Sequence, residues 1–156
     1  MHRLDVVHGD IKITNILVDA SGRARVAGLG AVYISSLVPG VDVDRFSEVH
    51  GSAPELVHPK LFGLTLAKAT KESDMHAFGA LAYEVFAGGA PPFGEDNATG
   101  IRLKLGGRPL PRPNHSELSD RLWRMIEGCL ESTPSQRKTS TEVTVTLDTE
   151  LNSRSS

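Results

Sequence analysis

The stretch His8-Gly9-Asp10-Ile11-Lys12-Ile13-Thr14-Asn15 decides how the rest of the chain is interpreted. It places a carboxylate, an ammonium group two residues later and a carboxamide five residues after the carboxylate in one short segment. Apolar residues border the segment, with Val6-Val7 before it and Ile16-Leu17-Val18 after it. We interpret residues 8–15 as a polar loop, held between two buried segments, that gathers reactive side chains.

The residues that follow the polar loop predict a β-hairpin. Ile16-Leu17-Val18-Asp19 is rich in branched side chains, which favour strands, and Ala20-Ser21-Gly22 is typical of a turn. Residues 23–27 then form the expected return strand, which ends where the two glycines of Gly28-Leu29-Gly30 relax the backbone. The hairpin should therefore carry the polar loop at one end.

The middle of the chain predicts a long loop and then a buried helix. No periodic pattern persists from residue 31 to 51, and a short helix broken near Pro59 is expected over 56–62. The strongest helical pattern follows, with Ser73 or Asp74 as the expected N-cap and Gly88-Gly89 as its end. Its apolar residues cover most of the circumference, so we expect burial on several sides.

The last third of the chain predicts three more helices. A short one is expected over 95–105, and another begins after Ser119, with one apolar face made of Leu122, Trp123, Ile126, Cys129 and Leu130. The segment 141–146 alternates in the manner of a strand, but a capping box at 139–142 favours a helix. The expected organisation is one domain over 1–151 and a flexible tail over 152–156.

Composition excludes several classes of function. The net charge of −2 offers no general attraction to nucleic acid or to an anionic membrane. The longest apolar stretch, residues 77–86, contains Glu84 and is too short to span a bilayer. The single cysteine excludes an internal disulfide and favours a reducing, cytoplasmic location. The six histidines are scattered, which argues against a zinc site.

Several ordered motifs carry a resemblance to a known family. The pattern H-x-D-x-K-x-x-N, the hairpin, the tripeptide at 28–30 and Ala53-Pro54-Glu55 together resemble the C-terminal lobe of a eukaryotic protein kinase. Further matches are Ser73-Asp74, Tyr83-Glu84-Val85-Phe86, Pro92-Phe93 and Pro134-Ser135-Gln136-Arg137. The resemblance implies a mainly α fold, with a small β-hairpin carrying the catalytic loop and without the N-terminal lobe.

The resemblance also implies roles for residues of the polar loop. Asp10 would orient a substrate hydroxyl and accept its proton, Lys12 would steady the γ-phosphate, and Asn15 would hold a magnesium ion. Leu17 would lie in the apolar floor of the nucleotide cleft. The implied cofactors are therefore ATP and Mg²⁺, and the implied partner is a protein substrate or another protein. A lysine at position 12 makes the loop more similar to that of the serine/threonine and tyrosine-kinase-like groups than to that of the tyrosine kinases. Taken alone, Asp10, Lys12 and Asn15 are also compatible with a solvated turn.

Other residues would act through structure. The resemblance implies that His8 packs under the polar loop, that Asp74 accepts hydrogen bonds from the loop backbone, and that Glu55 and Arg137 form a buried ion pair. The alternatives are an ordinary N-cap for Asp74 and two surface charges for Glu55 and Arg137.

Departures from the family pattern leave two functions open. Gly28 stands where the family has a magnesium-binding aspartate, and Gly9 where many kinases have an arginine that clamps a phosphorylated loop. No glycine-rich loop or strand lysine occurs before His8 in this sequence. We interpret Ser35, Ser36 and Ser47 as ordinary loop residues in preference to phosphorylation sites. The chain is expected to be a serine/threonine kinase lobe with impaired or absent phosphoryl transfer; the alternative is a pseudokinase-type interaction module. A gene product without selected function is a third reading. An exposed apolar patch around Leu17 and Val26 is expected in either functional case.

Overall fold

The computed structural model describes residues 1–29, 51–94, 103, 105 and 110–154. Within these residues the chain is mainly α, with a two-stranded antiparallel hairpin, as the sequence predicts. The strands are β1 (Ile16–Val18) and β2 (Ala24–Val26), and the helices are α1 (Pro54–Val57), α2 (Lys71–Phe86), α3 (Asp120–Cys129) and α4 (Ser140–Arg154). Short 3₁₀ turns occupy His2–Leu4, Ile13–Asn15, Pro59–Phe62 and Pro134–Gln136. Nearly all of the expected long loop and most of the 95–105 helix lie outside the described residues.

Helix α2 begins earlier than the sequence suggests. Its N-cap is Thr70, whose Oγ1 accepts a hydrogen bond from the Ser73 backbone N–H at 3.2 Å. Ser73 Oγ accepts in return from the Thr70 backbone N–H at 2.9 Å, which completes a capping box. The expectation that Ser73 or Asp74 caps the helix was therefore wrong, because Ser73 occupies the third helical position and the carboxylate of Asp74 is used elsewhere.

The core lies between α2 and α3. Ile126 and Cys129 of α3 are fully buried, and the apolar face predicted for this helix is confirmed. Gly79 allows the close approach of α2, because a Cβ atom there would lie 2.8 Å from the Cβ of Cys129. Burial raises the pKa of the Cys129 thiol to about 12, so this cysteine is a core residue without thiolate character.

An ion pair joins α1 to the segment before α4. Arg137 Nη1 and Nη2 donate to the two carboxylate oxygens of Glu55, both at 2.7 Å, and the side chains expose only 0% and 4% of their surface. Arg137 also donates to the backbone carbonyls of Glu72, Glu131 and Ser132. The buried pair implied by the family resemblance is confirmed, and its guanidinium is fully hydrogen-bonded.

Helix α4 confirms the helical alternative for the last segment. Thr139 Oγ1 accepts from the Glu142 backbone N–H, and Glu142 Oε2 accepts from the Thr139 backbone N–H at 2.8 Å. The helix continues to Arg154, three residues into the expected tail. Arg154 donates to the backbone carbonyl of Glu117 at 2.7 Å and pairs with its carboxylate, which holds the end of the helix in place.

The hairpin is exposed on both faces. Register pairs Ile16 with Val26, Leu17 with Arg25 and Val18 with Ala24, and every residue of the two strands except Ile16 is exposed. The turn is ordered by Asp19, whose Oδ1 accepts from the backbone N–H groups of Ser21 and Arg23. None of the helices in the described part of the chain is long and apolar enough to cross a membrane.

Candidate active site

The polar loop is held by a carboxylate on α2. Asp74 Oδ2 accepts from the backbone N–H of His8 and Oδ1 accepts from that of Gly9, both at 2.8 Å. Asp74 is 1% exposed, so both hydrogen bonds are shielded from water. The role that the family resemblance implies for Asp74 is confirmed, and the backbone of the polar loop is fixed by a residue on the buried helix.

His8 fastens the same loop to the hairpin from inside. Its Nδ1 accepts from the Asp10 backbone N–H at 3.2 Å, so the ring proton lies on Nε2, which donates to the Ala27 carbonyl at 2.9 Å. The imidazole is 1% exposed and therefore packs under the loop as expected. The base of the polar loop is thus joined to the end of β2 through a single buried ring.

Asp10, Lys12 and Asn15 lie together at the surface of the loop. Lys12 Nζ is 3.3 Å from Asp10 Oδ1, and Asn15 Nδ2 donates to Asp10 Oδ2 at 2.9 Å and to the Asp10 carbonyl at 2.8 Å. The Lys12 and Asp10 side chains expose 34% and 31% of their surface, so solvent and a ligand can reach them. Lys12 and Asn15 therefore both contact Asp10, and the catalytic roles of the three residues stay predictions.

Gly28 faces this group directly. Its φ of +81° lies in the left-handed region, and a Cβ atom there would lie 3.1 Å from Asn15 Nδ2 and 3.2 Å from Oδ1. An aspartate at this position would place its carboxylate beside the Asn15 amide. The glycine removes that carboxylate at the point where the loop and the end of the hairpin meet.

The described residues do not supply a complete magnesium site. Mg²⁺ takes oxygen ligands, and the loop offers Asn15 Oδ1 together with an Asp10 carboxylate already engaged by Lys12 and Asn15. Gly28 contributes no oxygen ligand from its side chain. Among residues 1–29, 51–94 and 110–154, no group of three or more histidine, cysteine, aspartate or glutamate side chains could hold a metal ion.

Leu17 lies on the hairpin, apart from the polar groups. It sits in the centre of β1 opposite Arg25 and is 57% exposed. Val26 is 51% exposed and Ile13 is 50% exposed, so apolar surface adjoins the polar loop. The exposure expected around Leu17 and Val26 is confirmed, whereas contact of Leu17 with a nucleotide stays a prediction.

Sequence reasoning missed His2. Its Nε2 lies 2.9 Å from Asp74 Oδ2, and both side chains are almost completely buried. Since the carboxylate only accepts, Nε2 is the donor and His2 supports the residue that holds the loop. The contact joins residues 72 positions apart, so no local sequence pattern marks it.

Comparison with known proteins places these features in a family. The family described as "Protein kinase domain" matches residues 1–146. The chain is 31% identical over 143 residues to the tyrosine-protein kinase Shark of Drosophila melanogaster, covering 89% of this chain and 15% of that protein.

Other relatives carry different kinase descriptions. Mitogen-activated protein kinase kinase kinase 1b of Physcomitrium patens is 33% identical over 141 residues, covering 89% of this chain and 17% of that protein. A dual serine/threonine and tyrosine protein kinase of Xenopus laevis is 30% identical over 140 residues, covering 88% of this chain and 14% of that protein. The chain thus spans less than a fifth of the length of each of these relatives. It belongs to the eukaryotic protein kinase family.

Proposed function

We propose that the chain is a C-terminal kinase lobe of the serine/threonine type that keeps the positioning of the catalytic loop and has lost efficient phosphoryl transfer. The observation that carries this proposal is Gly28, where a Cβ atom would lie 3.1 Å from the Asn15 amide nitrogen and where the family's aspartate would supply a metal ligand. The anchored backbone of His8 and Gly9 supports the retained positioning.

The loop residues would act on an acceptor hydroxyl by position and charge. Asp10 would accept a hydrogen bond from the hydroxyl and receive its proton, while Lys12, 3.3 Å away, would bring a positive charge to the transferred group. Asn15 holds the Asp10 side chain and backbone in place. ATP and Mg²⁺ are the reactants that the family uses, and this chain would bind them weakly because one metal ligand is missing. Loss of one charge stabiliser costs about 10²–10³ in rate.

The test begins with the wild-type chain. Thermal unfolding is measured with ATP, with and without Mg²⁺, and we expect no magnesium-dependent rise in the unfolding temperature. A clear rise would contradict the proposal, because it would show that the missing carboxylate is not needed for metal-dependent binding.

A matched pair of variants then isolates the carboxylate. Gly28→Asp and Gly28→Asn have nearly the same shape, tolerate positive φ better than most residues, and crowd Asn15 equally. In a protein that also carries a kinase N-terminal lobe, only Gly28→Asp should gain magnesium-dependent ATP binding and phosphoryl transfer. Equal behaviour of the two variants would show that Gly28 is not the main lesion.

A second candidate function is protein interaction through the exposed hairpin. The residues that favour it are exposed apolar side chains beside the polar loop, namely Ile13, Leu17, Val18, Val26 and Leu29. Exposed apolar surface of this kind marks interaction sites or drives self-association. Light scattering at tens of micromolar should show association of the wild-type chain, which Leu17→Ser with Val26→Ser should reduce. A monodisperse wild-type chain would count against this candidate.

A further inference from the structure

A cavity of about 270 Å³ lies between the first residues of the chain, the first turn of α2 and the segment that enters α4. Its wall includes His2, Arg3, Ser135, Lys138 and Ser140. The volume lies just below the usual range for drug-sized ligands, so the cavity suits a small group. It is separate from Asp10, Lys12 and Asn15, none of which lines it.

Two cations of the wall form no short ion pair within the part of the chain that the structure describes. Arg3 and Lys138 make no ion pair with any residue in the described part of the chain. The other two basic residues of the wall are neutralised, Lys71 by Asp5 at 2.5 Å and Arg137 by Glu55. Glu72 is the one carboxylate among the wall residues that the structure describes. Glu142 does not line the cavity, but its pKa is lowered by hydrogen bonds from Thr139 and also by the nearby Lys138 ammonium. In the described wall itself, two cations without a short ion pair therefore face one carboxylate.

Lys138 is held in place by the fold. Its backbone N–H donates to the Gly128 carbonyl at 2.9 Å, and its side-chain carbons lie within about 3 Å of where a Cβ of Gly128 would be. The side-chain stem thus packs against α3, and Lys138 also lines the cavity.

His2 brings a buried polar atom to the same wall. Its side chain is 9% exposed, and Nε2 donates to Asp74 as described above. Nδ1 has no hydrogen-bond partner among residues 1–29, 51–94 and 110–154. Nδ1 therefore keeps a lone pair that can accept a hydrogen bond from a ligand.

The start of α4 adds neutral donors. Ser140 and Thr141 are the first two residues of the helix and line the cavity, and their backbone N–H groups precede the one used by the capping box. Free N–H groups at a helix start carry partial positive charge and favour anions. The Ser135 hydroxyl supplies a further donor from the preceding turn.

We propose that this cavity binds a phosphate-type anion through donors on Arg3 and Lys138, with the lone pair of His2 Nδ1 accepting a hydrogen bond from a P–OH group of the anion. A tetrahedral anion with several acceptor oxygens matches a guanidinium, an ammonium group and short hydroxyl and amide donors converging on a small space. The anion can be free phosphate or the phosphate of a modified side chain, and the two share the same chemistry. The proposal does not depend on phosphoryl transfer by the polar loop.

The experiment titrates the 156-residue chain with inorganic phosphate and with N-acetyl-O-phosphoserine amide by calorimetry. Arg3→Gln and Lys138→Met each remove one charge, and Lys138→Met keeps the packed stem. Each variant should weaken binding about 10- to 100-fold, as expected for loss of one charge-assisted hydrogen bond. Tighter binding of the phosphoserine derivative assigns the site to a modified side chain, and equal or tighter binding of phosphate assigns it to the free ion.

Matched control variants distinguish binding in the cavity from general electrostatic attraction of the anion to the protein surface. Arg121→Gln and Lys60→Met remove exposed cations that do not line the cavity, and they should leave both affinities unchanged. The proposal is overturned if the wild-type chain binds neither probe, if the cavity variants bind like wild type, or if the control variants lose affinity equally. Gly28 variants should not alter phosphate binding, so this result is independent of the one for ATP.

Discussion

The helical part of the molecule and the hairpin differ in how far their side chains are buried. Ile126 and Cys129 of α3 have no exposed surface, whereas both faces of the hairpin meet solvent and Leu17 and Val18 are 57% and 69% exposed. An isolated two-stranded hairpin is at best marginally stable in water. The polar loop adjoins the hairpin in sequence, but its backbone at His8 and Gly9 is held by the helical part through Asp74.

The largest effect should come from the buried ion pair in the helical part. Arg137→Ala leaves the Glu55 carboxylate buried without a partner, and we expect a loss of about 3–5 kcal/mol in the free energy of unfolding. Urea denaturation measures it. Arg112→Ala, which breaks the exposed pair with Asp120, should cost at most about 1 kcal/mol. Similar losses of unfolding free energy in the two variants would contradict the difference expected between a buried and an exposed ion pair.

Asp74→Asn tests whether the helical part shapes the loop. An amide offers one acceptor oxygen in place of two, so at least one loop N–H loses its partner, at a cost of about 1–3 kcal/mol for each donor left unpaired. Amide hydrogen exchange should speed up at His8 and Gly9. Glu72→Gln, in the same helical turn, serves as the control and should leave exchange unchanged. Unaltered protection in Asp74→Asn would mean that the hairpin holds the loop.

Two glycines test how tightly the core is packed. Gly79→Ala places a methyl group 2.8 Å from the Cβ of Cys129 and should destabilise the chain by about 1–3 kcal/mol. Gly128→Ala meets only side-chain carbons of Lys138, which can move, and should gain up to about 1 kcal/mol in helix propensity. Thermal unfolding compares them, and a loss in Gly128→Ala as large as that in Gly79→Ala would contradict the assignment.

The smallest effect is a pH response of the hairpin turn. The Ser21 hydroxyl, followed by the Arg23 backbone N–H, lowers the pKa of Asp19 to about 2. A carboxylate with a depressed pKa stabilises the folded turn above its ordinary pKa, near 3.8, and this contribution disappears as the pH falls through about 2. Chemical shifts of Gly22 and Arg23 should therefore change with a midpoint near pH 2. Asp19→Asn should abolish this change at Gly22 and Arg23.

Sequence patterns predicted the elements whose signals are local. The faces of α3, the hairpin and the capping box at Thr139 follow from spacing within a few residues, and the family motifs correctly implied the roles of Asp74 and of the Glu55–Arg137 pair. The N-cap at Thr70 was missed because the Ser73-Asp74 motif favoured a later start for helix α2. His2 was missed because its partner lies 72 residues away. The crowding of Asn15 by any side chain at position 28 depends on backbone placement, which residue types alone do not specify.

The hydrogen bonds from His8 and Gly9 to Asp74 also set an order of events during synthesis. They join positions 66 and 65 residues apart, so the loop sequence leaves the ribosome well before its anchor exists. At translation rates of about 5–20 residues per second, the delay is roughly 3–13 seconds, far longer than loop closure or helix formation requires. The candidate catalytic segment is therefore made several seconds before the residue that fixes its backbone becomes available.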